Sequence, residues 1–430
     1  MQTRSYVPFP NLDPTVPSSG PAHLRERRQD AADLLVDASL PTTDDEIWRY
    51  SRIGELDPAR FSGATEPGPA VPAHGPADAS LDAVATVVVR DGHVVSIDVA
   101  DDVDGLSVRR AEEGTAEQAG PGAAMPEPVD LFAALNDLHT PGGVVVEAAR
   151  NAVIPGPVVV RVETATTDTV SFPRLVVATG ELAELTVVEL RTSVDGVALS
   201  APVTELAAAP GSHLRHVVVQ DLAPTVWQLG SLVASAARDA QVLVSVAALG
   251  GDYARDRIET RIVGSNAHAN IQAVYVGEGD QMLDFRTVQD HLAPHTGSDL
   301  LFKGAIGGRS HSVYTGNIRI AKDAGDVDAF QTNRNLKLSE DAWAESVPNL
   351  EIENNDVRCS HASAIGPIDP DHRFYLEARG VPPLDAERLV VAGFFEEVLE
   401  RFPVAGVTAW LSDEIGQRLE AVMADDEGQR

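Results

Sequence analysis

LTVVELRTSVDGVALSAPVTELAAAPGSHLRHVVVQD, residues 185–221, opens and closes on runs rich in valine, leucine and threonine. Similar runs recur on either side, among them VVVEA, VVVRVETA, LVVATG, VLVSVAAL, IETRIVG, NIQAVYVG and LLFKGAIG, between about residues 142 and 340. Such residues favour strands. Most of the breaks between runs are too short for a helical crossover, which argues against an alternating β/α architecture. A sandwich of this many strands would need frequent two-residue hairpin turns, yet Asp195–Gly196 is the one clear turn pair in the region. The pattern therefore predicts a mainly β protein whose core, residues 131–368, is a parallel β-helix with stacked coils around an internal aliphatic column.

The flanks read differently. Residues 1–130 form an N-terminal region in which His23–Asp37 reads as an amphipathic helix, followed by an apolar cluster, Ile47, Trp48, Tyr50 and Ile53, suited to docking. Residues 62–80 carry four prolines among small residues and read as an extended linker. Residues 86–99 place Asp91–Gly92 between two β-branched runs, a hairpin signal. Residues 369–430 turn helical. Val391, Phe394, Phe395, Val398, Leu399 and Phe402 line one face, and Leu411, Ile415, Leu419 and Val422 make a second stripe.

Composition excludes several functions. The 430 residues carry a net charge of −32, with 65 acidic against 33 basic side chains, a field that repels nucleic acid. No apolar run is long enough for a membrane span, and the first 14 residues lack the apolar core of a secretion signal, so the expectation is a cytoplasmic chain with no membrane contact. GAIGGRS (304–310) lacks the Lys-Ser/Thr of a phosphate loop, and GEGDQM (277–282) lacks the third glycine of a dinucleotide fingerprint; both read as turns. His291 and His295 flank Pro294 without the glutamate of a zinc-protease helix and read as structural or surface histidines.

The chemistry gathers in NDVRCSHASAIG, 355–366, which holds the sole cysteine, Cys359, and His361 two places on. On an extended strand these side chains share a face, about 6 to 7 Å apart at Cα. The pair is open to three readings: a nucleophilic dyad, two metal ligands, or a small buried hydrophobe beside a hydrogen-bonded imidazole. Two ligands are half of a metal site. An edge strand would let a second subunit bring the rest.

HTGSDLLFKGAIGGRSHSVYTGNIRIAKDAGDVDAFQTNRNLKLSEDAWAESVPNLEIENNDVRCSHA (295–362) and RFYLEARGVPPLDAERLVVAGFFEEVLERF (373–402) resemble the SufB/SufD family of the SUF iron–sulfur cluster assembly machinery, as do TTDDEIWRYSRI (42–53) and LFAALNDLHTPGGVVVEA (131–148). Within it the lone thiol and the Cys-Ser-His triplet resemble the SufD branch. The resemblance implies a right-handed parallel β-helix flanked by helical regions. It implies a noncatalytic scaffold that pairs with a SufB-like paralogue, binds a SufC-like ATPase, and allows a homodimer when alone. It places Cys359 and His361 at the seam, as ligands of a transient iron–sulfur cluster shared with the partner. No cofactor is then held by the chain alone, and ATP acts only through the ATPase. It places Arg379, Gly380, Phe394 and Phe395 in the ATPase contact. The family commonly has glycine where Ala362 stands. Two rival readings are a carbohydrate-active β-helix enzyme, which an aromatic content of 5% suits badly, and a purely architectural subunit.

Overall fold

A computed structural model describes residues 9–429 except residues 14, 16–19, 37, 73, 77–79, 102 and 116–117. Its centre is a parallel β-solenoid built from two facing sheets, one of 12 strands and one of 10. Successive strands alternate between sheets, and each pairs in parallel with the strand two further on. The step from a residue to its partner one coil on runs from 26 (Trp227 to Tyr253) to 32 (His311 to Trp343). That variation lies in the corners and hides any fixed period in the sequence. The GAIGGRS and GEGDQM segments are two such corners, and a Cβ on Gly308 would stand 3.1 Å from Gly279 of the coil before.

Between the sheets runs a column of aliphatic side chains, including Val160, Val187, Leu214, Val244, Ile271 and Leu300, all at most 1% exposed. Each such side chain contributes about 1.5–3 kcal/mol on burial, which makes this column the main driving force for stacking. The column also encloses polar groups. Arg191 donates to Glu189 (2.8 Å) and to Asp256 (3.0 Å), and His216 Nε2 lies 3.1 Å from Glu189 Oε2. Burial opposes the charge on Glu189, but the neighbouring Arg191 and His216 outweigh it and hold the carboxyl far below its ordinary range.

The two ends of the solenoid differ. At the first end the chain doubles back: strand Ala85–Arg90 pairs antiparallel with His93–Val99, turning at Asp91 (φ 49°) and Gly92 (φ +85°), and Leu106–Arg110 pairs antiparallel with Val144–Ala148. Two positive φ values are what a twist-matched hairpin turn requires. At the other end the sheets stop on Trp343–Ile352 and Val357–Pro367, each with one neighbour strand.

Helices α1 (Ala22–Leu34) and α2 (Leu131–His139) pack together beside the early coils. The Asp130 side chain caps α2 by accepting from Ala133 N at 3.0 Å. The 42–53 segment docks on the chain's own solenoid: Trp48 is buried, with Phe132 at 5.6 Å and the Arg255 guanidinium 3.7 Å over its ring. The proline-rich 62–80 stretch is strapped along the coils where it is described, with Ser62–Gly63 pairing to Thr169–Val170 and Gly68 N donating to Asp91 at 2.9 Å. Residues 73 and 77–79 of that stretch lie outside the described residues.

Helices α3 (Pro370–Glu377), α4 (Pro383–Leu399) and α5 (Ala405–Gln429) follow the last strand. Val391, Phe395 and Val398 of α4 and Val407, Leu411, Ile415 and Leu419 of α5 pack onto Val217, Val219, Val274 and Val276 on the outside of a sheet. Helix α4 ends at Leu399, one turn short of the expected Phe402, which is still buried in that cluster.

Candidate functional site at the open end of the solenoid

The strand Val357–Pro367 is the last of the 10-stranded sheet, so one whole side of its backbone has no strand beside it. Such an edge is a template for a further strand. Cys359 pairs with Ala329 and His361 with Gln331 on the neighbour strand. By strand alternation Val357, Cys359, His361 and Ser363 face the inside of the solenoid. Val357 and Cys359 pack against Ile318, Ile320, Val327 and Ala329, which close the apolar column from above. The sulfur is thus half-buried at the rim, neither sealed in the column nor fully presented to solvent.

His361 is exposed, and beneath it the interior turns polar. Gln331 accepts from Tyr314 Oη at 2.9 Å, Asn333 donates to Tyr275 Oη at 3.0 Å, and Tyr275 Oη donates to Asn335 at 2.7 Å. All five side chains are buried. The last complete coil therefore offers an apolar floor under Cys359 and an amide and phenol floor under His361.

Burial alone pushes the Cys359 thiol up, so in the lone chain the sulfur is held as S–H. Arg358, next in sequence, points away: it is exposed and donates to Asp328 with 2.7 Å between Nη2 and Oδ2. Ala362 lies in extended backbone and is exposed, so its methyl is accommodated without a positive φ.

The other candidate residues lie at the C-terminal helices. Arg379 is exposed, with its guanidinium 3.4 Å over the Tyr375 ring and Nη1 donating to Tyr375 O at 2.9 Å. Gly380 turns the chain between α3 and α4 at φ +86°, with open space where a Cβ would point. Phe394 is partly buried under Lys303, and Phe395 is 1% exposed in the packed core. Phe395 is thus a packing residue whose ring is not presented to a partner. The exposed apolar surface of this region comes from Phe374, Tyr375 and Leu389, at 69%, 57% and 55%.

Residues 161–394 match the family model described as SUF system FeS cluster assembly, SufBD core domain. The chain belongs to the SufBD family. An iron–sulfur cluster assembly SufBD family protein of Mycobacterium tuberculosis is 32% identical over 400 residues, 90% of this chain and 92% of the relative. Proteins named iron–sulfur cluster assembly protein SufD are 29% identical in Escherichia coli over 49% of this chain and 50% of the relative, and 26% identical in Bacillus subtilis over 65% and 64%. Membership of the SufBD family agrees with the solenoid, which supplies most of the matched span. No helix among the described residues is long and apolar enough to cross a membrane.

Sequence reasoning singled out Cys359 and His361, which lie on the last strand, and missed the buried amide layer. The signal was present in QTNRN, 331–335, where Gln, Asn and Asn alternate on the inward face of a strand.

Proposed function

We propose that this SufBD-family chain is a noncatalytic scaffold subunit that pairs, through the open end of its solenoid, with a SufB-like paralogue. The observation that carries the reading is the juxtaposition of two uncovered edge strands with Cys359 and His361 on the last coil. Strand addition from a partner's edge would continue the backbone ladders and enclose the rim. The nascent iron–sulfur cluster, the cargo of the assembly, would then meet one thiol and one imidazole from this chain and further ligands from the paralogue. Iron bound there would displace the thiol proton that burial retains. A SufC-like ATPase would dock near Arg379 and Gly380, on the apolar surface of Phe374, Tyr375 and Leu389. Nucleotide-driven movement of that ATPase would reach the coils through α4 and α5, which are packed against the sheet.

A second reading is supported by the contact of Cys359 with Ile318, Ile320 and Ala329: the thiol fills the rim of the column and the chain is purely architectural. The experiment is co-expression with candidate paralogue and ATPase chains, followed by anaerobic cluster reconstitution. The scaffold reading expects a co-purifying complex whose cluster absorption is lost in Cys359→Ser with His361→Ala while the complex persists. Unchanged cluster assembly by that intact variant complex would favour the architectural reading. Absence of any complex would overturn both.

A further inference from the structure

Three distant parts of the chain converge at one corner of the solenoid, far in sequence from Cys359. His74 comes from the proline-rich strap, Asp221 from the end of strand His213–Asp221, and Glu414 from α5. One nitrogen or oxygen from each lies within 4.8 Å of the others. His74 and Asp221 line a cleft of about 700 Å³, together with Glu278 and Arg418.

Arg418 satisfies part of this acidic set. Its Nη2 donates to Asp221 Oδ1 at 2.8 Å, its Nε to Glu414 Oε1 at 2.8 Å, and its Nη1 to Glu278 Oε1 at 3.1 Å. One guanidinium against three carboxylates leaves a surplus of two negative charges. The second oxygen of Asp221 is the anomaly. The side chain is only 7% exposed, and Oδ2 is buried with no hydrogen-bond donor. The His74 Nε2 stands 2.5 Å away without the orientation of a hydrogen bond. A buried carboxylate oxygen whose one close neighbour is an imidazole nitrogen outside hydrogen-bond geometry is costly, and a water or an ion commonly completes such a group.

We propose that His74, Asp221 and Glu414 form a binding site for a first-row divalent cation. An imidazole with two carboxylates is a donor set that Zn²⁺, Fe²⁺, Mn²⁺ and Co²⁺ accept, at bond lengths of about 2.0–2.2 Å. Small side-chain rotations would bring the three ligand atoms onto one ion. The ion would neutralise the surplus charge and give Asp221 Oδ2 a second contact beside the His74 imidazole. Because the ligands come from strap, solenoid and α5, the ion would cross-link the N-terminal and C-terminal flanks to the same corner. The site shares no residue with the rim at Cys359, so it stands or falls independently of the scaffold reading.

The test uses the full chain with Cys359→Ser, so that no thiol can bind the probe. After chelator treatment and dialysis the protein is titrated with Co²⁺ alone, followed by its visible d–d bands, and with Zn²⁺ alone, followed by melting temperature. One equivalent of Co²⁺ should bind without sulfur-to-metal charge-transfer absorption, and Zn²⁺ should raise the melting temperature. His74→Ala, which removes a half-exposed side chain, and Glu414→Gln should each weaken Co²⁺ binding by at least about tenfold and abolish the Zn²⁺ effect on melting. Equal binding by the parent and His74→Ala, or no binding by the parent, would overturn the proposal.

Discussion

The ammonium of Lys303, 3% exposed on the strand Gly297–Ile306, donates a 2.7 Å hydrogen bond to the carbonyl oxygen of Phe394 on α4. The same nitrogen reaches Glu397 Oε2 at 2.5 Å and lies 4.7 Å from the Phe394 ring. One solenoid side chain therefore holds α4 by a carbonyl, a carboxylate and an aromatic face. Lys303→Met should destabilise the protein by about 1–3 kcal/mol, read from the urea midpoint. It should also raise amide exchange in α4 more than in the sheets.

Gly304, the next residue, faces the interior, where an added Cβ would stand 1.9 Å from Tyr275 Cε2. Tyr275 cannot retreat without breaking its bonds to Asn333 and Asn335. Gly304→Ala should cost about 1–3 kcal/mol in an equilibrium unfolding measurement, whereas Gly54→Ala, with open space around its Cβ, should not.

His291 gives a pH dependence. Burial lowers its pKa to about 4, and its ring nitrogens lie 2.8 Å from Thr296 Oγ1 and 2.9 Å from Ser298 Oγ. The neutral ring is the folded form, while an unfolded histidine takes its proton near 6.5. The contribution is thus complete above pH 6.5 and is lost as pH falls from 6.5 towards 4. The slope for this group is about 1.4 kcal/mol per pH unit. His139, also lowered to about 4 by burial, acts in the same direction. Unfolding free energies measured across pH 7 to 4.5 should show the loss, and His291→Gln should reduce it.

The Cys359 thiol offers a chemical readout. Because burial raises its pKa, alkylation at pH 8.5 should be slower in the folded lone chain than in urea. The accompanying stability term is present at neutral pH and is lost as pH rises past the unfolded thiol's value. A rate in the folded chain equal to that in urea would contradict the rim packing.

Ile365 and Leu350, 42% and 37% exposed, put apolar surface on the two edge strands. Ile365→Lys should leave the lone chain within about 0.5 kcal/mol of the parent and, if the proposed pairing holds, weaken association with a SufB-like partner at least about tenfold. Analytical ultracentrifugation of the co-expressed pair checks it.

The solenoid was legible because β-branched runs with short breaks have few other ways to bury themselves. The rim pair was legible because a lone thiol beside an imidazole stands out, and the family resemblance placed it on a seam. Which coil came last was not legible from pattern: Gln331, Asn333 and Asn335 alternate as surface residues do, yet they point inward. Glu189, Arg191 and His216 mislead in the same way, since each looks like a solvent-facing position and is buried with a partner. The strap was misjudged for a different reason. Proline and small residues describe an extended chain equally well whether it spans open water or lies along a sheet, and only the pairing of Ser62–Gly63 with Thr169–Val170 distinguishes the two. The resemblance named Phe395 for the ATPase contact, while the helical stripe that contains it is the buried face of α4, where Phe395 is 1% exposed.

The unequal ends of the solenoid bear on how many copies can assemble. A rod with two bare ends would add neighbours without limit and grow into a fibre. Here hairpin strands running the other way turn the chain back at one terminus, so the parallel ladders of the coils stop bare only at the other. Were two such solenoids joined through that face, as proposed, the pairing would use it up and leave no parallel end for a third.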